Sequence, residues 1–301
     1  MDNKKVGIVV VTYNRLALLK EVVEALRAQT YKDTQIIVVN NGSTDGTLDW
    51  LNDQSDIFTI TQGNVGGAGG FFTGMKYVAE HDFAYCWIMD DDVVCRPDAL
   101  YELVEAYNVK PDIGYVCSKV IGIDGAPMNV PLVDMRPTKN GYSACFEYLD
   151  KQMVKTHNST FVSLLLSTDM IREVGLPYKE YFIWGDDSEY TDRLSSNHDC
   201  YLAGKSIVVH KRSRQGSLDF MKETDPKRLQ NYFYHIRNND HNLHWDALGR
   251  RGRFFWWYDR YKSLFGLLRR GDKVRFKILW NATKQKNKFN PSICYPEKPK
   301  N

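Results

Sequence analysis

No C-x-x-C pair occurs among the six cysteines, Cys86, Cys95, Cys117, Cys145, Cys200 and Cys294. That spacing supports neither a thiolate zinc site nor a dense disulfide framework, and reduced thiols in the cytosol are expected. Nowhere do 18 apolar residues run together, so no spanning helix is expected, although contact with a membrane face stays open. The first residues, MDNKKVGIVVVTYNR, set two lysines before a short apolar run ending at Thr12, which has neither the length nor the cleavage site of a secretory leader. The first strand-to-helix turn lacks G-x-G-x-x-G, and G-x-x-x-x-G-K-[ST] is missing altogether, so neither a dinucleotide fingerprint nor a P-loop is supported. Internal repeats are absent as well.

What remains is an ordinary globular composition, 301 residues with 43% hydrophobic and 26% charged. The net charge of +3 conceals a division: residues 226–301 hold 18 Lys and Arg against 5 Asp and Glu, leaving 22 against 32 before them. Such an asymmetry directs the last quarter of the chain toward something anionic.

The first 120 residues alternate β-rich runs with amphipathic stretches: VGIVVVT (6–12), LALLKEVVEALRAQ (16–29), IIVVN (36–40), TLDWLND (47–53), FTITQ (58–62), GFFTGMKYVAEH (70–81) and AYCWIM (84–89). This βαβαβαβ order predicts an α/β fold with a mostly parallel sheet covered on both faces. Ligands in such sheets bind at the strand carboxyl ends, which here read TYN, NNGSTD and DDD. Ser43 or Thr44 is expected to cap the helix starting near Gly46, and Pro97-Asp98 to open the helix through ALYELVEAY. Residues 111–170 read as irregular and strand-rich. From about residue 220 the pattern becomes helical, aromatic and basic, which divides the chain into 1–218 and 219–301.

Asp90, Asp91 and Asp92 follow an apolar strand directly. Alternate residues of an extended turn point the same way, so Asp90 and Asp92 can converge on a hard divalent cation while Asp91 faces elsewhere. A solvated acidic turn is the alternative. In YFIWGDDSEYTDR (181–193), a carboxylate beside Trp184 could be desolvated and serve as a base, or the acids could merely cap a helix and pair with Arg193. Asp186 suits capping and Asp187 chemistry. His210, at the end of SIVVHKRS, is either a structural histidine or the completing ligand of a carboxylate metal site. The stretch NVGGAGGFFTG (64–74) reads as a glycine loop exposing amides to an anion.

Six segments then stand in order: VVTYNR at 10–15, NNGSTDGT at 40–47, NVGGAGGF at 64–71, MDDDV at 89–93, WGDDSEYTDR at 184–193 and VVHK at 208–211. Together they resemble a family 2 glycosyltransferase of the GT-A fold, most closely the bacterial galactofuranosyl- and rhamnosyltransferase branch, over roughly residues 5–240. The resemblance implies inverting transfer from a nucleotide-diphosphate sugar, with a UDP-sugar favoured, galactofuranose as the first candidate and dTDP-rhamnose as the second. It further implies that Asp90 and Asp92 hold Mn²⁺ or Mg²⁺ with His210 as a further ligand, and that Asp187 deprotonates the acceptor hydroxyl. Thr12, Asn14 and Asn41 match positions lining the nucleotide pocket. Gly66, Gly67 and Gly70 pass close to the donor, and Asp91 and Trp184 join the donor-contacting set. The basic aromatic stretch 250–277 fits an interfacial helix on anionic lipid, beside a lipid-linked or polysaccharide acceptor, which would make the protein cytoplasmic and peripheral at the membrane. A tail helix packing its aromatics on the catalytic domain is the plainer account. No nucleic-acid motif accompanies the charge. A non-catalytic nucleotide-sugar or lipid binder is the rival class, against which the retained carboxylates argue.

Overall fold

The computed structural model describes residues 4–212, 218–243 and 248–299. Its first half follows the expected alternation: β1 (Val6–Thr12), α1 (Leu16–Arg27), β2 (Thr34–Asn40), α2 (Thr47–Asn52), β3 (Ile57–Thr61), α3 (Gly66–Glu80), β4 (Tyr85–Asp90), β5 (Val93–Cys95) and α4 (Ala99–Tyr107). There follow β6 (Ile113–Ile121), β7 (Leu132–Val133), β8 (Met153–Asn158), β9 (Leu164–Ser167), α5 (Thr168–Val174), α6 (Asp186–Ser195), β10 (Asp199–His210), α7 (Pro226–Asn242), α8 (Gly249–Arg269) and α9 (Lys273–Gln285). One ten-stranded sheet runs in the order β3-β2-β1-β4-β9-β6-β10-β8-β7, with β5 attached to β10. The pairs β3·β2·β1·β4 and β6·β10 are parallel, whereas β9 lies antiparallel between β4 and β6. This is the α/β architecture of the GT-A fold with a helical carboxyl-terminal extension.

Burial explains the sheet. Every residue of β1 is buried, and alternate side chains part to opposite faces: Val6, Ile8 and Val10 join one core with α1 and α4, while Val9 and Val11 join the other with α3. A strand apolar on both sides must lie between two helical layers. In α1, Leu19, Val22, Val23 and Leu26 form the buried stripe at helical spacing.

Two local expectations fail. Ser43 and Thr44 do not cap α2. Its N-cap is Gly46 in a left-handed conformation, and Asp45 takes the Thr47 amide instead, because Ser43 and Thr44 are used across the loop by Asn14. The glycine run, moreover, is no loop but the first turns of α3. A Cβ on Gly70 would meet Val11 Cγ1 at 2.3 Å, so the glycine lets the helix lie directly on β1.

The extension folds onto the same body. Asp225 caps α7 by accepting from the Lys227 and Arg228 amides, with Pro226 behind it at the first helical position. Leu229 and Tyr232 of α7 pack with Ile278 of α9 and with Trp184, and Leu264 and Leu267 of α8 pack on Leu279. Among the described residues, no helix is long and apolar enough to cross a membrane.

Candidate active site

The acidic triplet is assembled by a strand that leaves the parallel sheet. β4 ends at Asp90 beside Val11 of β1, the chain turns through Asp91 and Asp92, and β5 then pairs antiparallel with the end of β10, Val93 opposite His210. That pairing carries His210 onto the carboxylates: Asp90, Asp92 and His210 each offer a ligand atom, all within 4.8 Å of one another. Asp91 points away, as the alternation predicts. Its Oδ2 accepts from Thr12 Oγ1 at 2.8 Å and its Oδ1 from Arg15 Nη1 at 3.1 Å.

Arg15, which also donates to Asp92 Oδ2 at 2.9 Å, partly neutralises three like charges. Burial, then the charge of Asp92, pushes Asp90 up to about 8. Asp92 itself, against the effect of burial, is held below the ordinary carboxylate range by His210 and Arg15. His210 Nε2 stands 3.1 Å from Asp92 Oδ1, yet that buried oxygen accepts no well-aligned hydrogen bond. On the other side of the ring, Nδ1 lies 2.9 Å from Asn129 Oδ1. With the amide oxygen as acceptor, Nδ1 carries a proton and Nε2 faces the carboxylates, placed to ligate a cation held between them. A hydrogen-bond acceptor on the distal nitrogen is how metal-binding imidazoles are usually oriented. A hard divalent cation therefore fits Asp90, Asp92 and His210.

The second set of acids is held by backbone geometry. After the short turn Lys179–Tyr181, Phe182 (φ 65°), Trp184 (φ 63°) and Gly185 (φ 94°) are all left-handed, and α6 begins at Asp186. Consecutive carbonyls of this loop are bound one by one. Arg237 Nη2 donates to Glu180 O at 2.6 Å, the Ala68 amide to Phe182 O at 3.2 Å, and Asn242 Nδ2 to Gly185 O at 2.9 Å. The Asn238 amide of α7, fully buried, donates to the carbonyls of Tyr181 (3.0 Å), Ile183 (3.2 Å) and Trp184 (2.7 Å), and its Oδ1 is fixed by Arg237. Two non-glycine residues at positive φ would relax without such restraint.

The loop delivers Asp186 and Asp187 to the first turn of α6. Glu189 is occupied by Arg193, both contacts at 2.9 Å. Contrary to the expectation from sequence, Asp186 does not cap the helix; the left-handed Gly185 takes the cap position and Asp186 is buried just inside it. Burial, then the charge of Asp187, raises Asp186 to about 8, and burial raises Asp187 as well. Asp187 Oδ1 accepts from the Ser188 amide at 2.7 Å, so Oδ2 is the oxygen left for a proton.

One cleft of about 640 Å³ brings Asp90, Asp92, His210, Trp184, Asp187 and Gly67 together. Thr12, Asn14, Asn41, Gly66, Gly70 and Asp91 are not on its wall. Asn41 donates to Gly66 O at 2.8 Å and accepts from Gln62 at 2.7 Å, Thr12 holds Asp91, and Asn14 ties two strand-end loops together through Thr44. Gly66, with φ 77°, has Phe182 O at 2.0 Å from where a Cβ would stand, so it seats the loop that carries Trp184. The space beside Gly66 and Gly70 is thus filled by protein, and of these three glycines only Gly67 opens on the cleft. Arg15, Asn129 and Asn238 escaped the sequence reading. The Arg of TYNR was the one accessible signal; the two asparagines carry none without the fold. A larger depression of about 980 Å³ lies around Tyr31, Tyr101 and Lys205, with Glu102 and Glu105 on its wall, but among the described residues it holds no group of three or more potential metal ligands.

The chain belongs to glycosyl transferase family 2, which matches residues 7–175. It is 28% identical to the galactofuranosyltransferase GlfT1 of Mycobacterium tuberculosis over 62% of this chain and 63% of that protein. An uncharacterized glycosyltransferase of a Nostoc species is 28% identical over 36% of this chain and 35% of its own length, so the chain spans less than two thirds of these relatives. The crystal structure of S. aureus TarS superposes with a TM-score of 0.55 at 13% identity, covering 78% of this chain and 39% of TarS, a likeness of fold. The family match ends before Trp184, Asp187 and His210, whose assignment rests on geometry.

Proposed function

We propose that the protein transfers a sugar, with inversion, from a nucleotide-diphosphate donor to a hydroxyl of a lipid-linked or polysaccharide acceptor. The observation that carries this is one cleft with a carboxylate–imidazole cation site on one wall and the Asp187 carboxylate on another. Asp187 Oδ2 takes the proton of the acceptor hydroxyl as its oxygen bonds to the anomeric carbon. The bond from that carbon to the diphosphate oxygen breaks, and its electron pair leaves with the nucleotide. A single displacement inverts configuration, and general-base help of this kind is worth typically 10² to 10⁴ in rate. Mn²⁺ or Mg²⁺ bound by Asp90, Asp92 and His210 supplies Lewis-acid neutralisation of the departing diphosphate. Arg15 ties the ligand-bearing Asp92 to its neighbour Asp91, and Gly67 leaves room for the donor.

The similarity to GlfT1 favours UDP-galactofuranose as donor, with dTDP-rhamnose second. We read residues 1–218 as the catalytic domain and 219–301 as an appendage that fixes the base loop and meets the acceptor or an anionic membrane surface through 250–277. Purified protein is incubated with a panel of UDP and dTDP sugars and Mn²⁺ or Mg²⁺, and nucleotide diphosphate release is followed. The expected result is turnover of UDP-galactofuranose that disappears in Asp187→Asn while donor binding persists. Release of nucleotide from no donor, or an Asp187→Asn enzyme as fast as wild type, overturns the proposal.

A further inference from the structure

Helix α8 has two apolar faces. On one, Leu264 and Leu267 are buried against α9, and Arg260, whose guanidinium lies 4.5 Å from the Trp256 ring centre, pairs with Asp240 at 2.7 Å. On the other, Phe254, Tyr258, Tyr261, Phe265 and Leu268 follow at spacings of four, three, four and three, a single stripe on a helix. They are 65%, 54%, 55%, 62% and 56% exposed. Packing of the tail aromatics onto the catalytic domain, the plainer account from sequence, does not hold for these four rings. A contiguous apolar strip of this kind on a surface marks an interaction site.

The charge around it selects the occupant. Residues 249–285 contain 11 Lys and Arg against 2 Asp and Glu. By the helical period Arg251, Lys262 and Arg269 flank one margin of the stripe, close enough for their aliphatic stems to lie beside the rings while the charges reach outward. A second copy of the chain would face this basic surface with an identical one, and like charges across an interface oppose association. A nucleic-acid duplex, its bases already stacked inside, would pair with the charge and leave the rings in water. Aromatic rings at headgroup depth with cations against acidic lipid use both features together. The inner face of α8 meanwhile reaches the catalytic region: Arg260 lines a side cavity of about 400 Å³ that shares Leu218, His235 and Asn239 with the cleft.

We propose that the Phe254–Tyr258–Tyr261–Phe265–Leu268 face of α8 docks the enzyme on an anionic lipid surface, with its rings in the headgroup layer. The purpose of this docking, presenting the cleft to an acceptor held in that surface, rests on the function proposed above; the docking itself does not. The full chain is sedimented with vesicles of phosphatidylcholine alone and with phosphatidylglycerol added, at low and high salt. Binding is expected with phosphatidylglycerol, weakening as salt rises, and falling by roughly tenfold or more in Phe254→Ser/Phe265→Ser. Both positions are solvent-facing, so the variant keeps the melting temperature and the donor turnover of wild type on a soluble acceptor. Equal sedimentation with and without phosphatidylglycerol, unchanged binding of the variant, or a wild-type dimer that the two substitutions dissociate overturns the proposal. Vesicle binding is read without any turnover, so a failed donor assay beside intact binding refutes the function and spares the docking face.

Discussion

Replacing Asn238 by leucine removes a side chain that touches no reacting group and is expected to disable the enzyme. Its amide makes three hydrogen bonds to the carbonyls of Tyr181, Ile183 and Trp184. At about 0.5–1.5 kcal/mol net for each, with the carbonyls left buried, roughly 2–4 kcal/mol of restraint is lost. The left-handed residues Phe182 and Trp184 store strain of about 1–3 kcal/mol each, so the loop then has both the freedom and the incentive to relax. Because Asp187 follows the loop by two residues, displacement removes a base worth typically 10² to 10⁴ in rate. The expectation is a kcat lower by about 100-fold, a donor Kd unchanged within about threefold and a melting temperature lower by roughly 3–6 °C. The pH profile separates positioning from mere destabilisation. Burial holds the Asp187 pKa up, so a loosened, wetter Asp187 moves the acid limb of kcat toward lower pH, whereas a protein that is only less stable keeps the limb in place. Full kcat, measured well below the melting transition, would refute the reasoning.

In wild type, activity needs Asp187 ionised; since its pKa is raised by burial, turnover is lost on acidification at a pH above the roughly 4 of an ordinary aspartate, and a limb at or below 4 contradicts this. Mn²⁺ should stabilise the protein against heat, and Asp92→Asn or His210→Ala should abolish that shift in scanning fluorimetry. Asn129→Ala should weaken Mn²⁺ binding by about 10- to 100-fold, since the imidazole loses its orienting partner; equal affinity by calorimetry counts against the assigned tautomer. Gly66→Ala puts a methyl within 2.0 Å of Phe182 O at a φ of 77°, and should lower both melting temperature and kcat, whereas Gly67→Ala, with nothing within 4 Å, should spare stability.

The layers of this fold were legible because their cause is local. VGIVVVT and TQIIVVN are apolar on both sides, and amphipathic stretches separate them. The acidic triplet could be placed because a strand end fixes which side chains alternate. What escaped depends on distant partners. NVGGAGG looks like a loop by composition; it is a helix because β1 and the Phe182 carbonyl fill the space that side chains would need. Asn238 sits in RNNDHN, which reads as a solvated polar face until a strained loop arrives to use its amide. Asn129 stands far in sequence from the histidine it orients, in a stretch with no regular pattern. Ser43 and Thr44 look like helix caps, and only the approach of Asn14 shows why they are otherwise engaged.

The pairing of Val93 with His210 has a consequence for the order in which the enzyme matures. A nascent chain that has emerged only through β9 already carries Asp90 and Asp92, but it lacks His210 and has no α7 to brace the loop beyond. The candidate cation site therefore gains its third ligand only after synthesis has passed residue 210, and the Asp187 loop its brace only once α7 has followed.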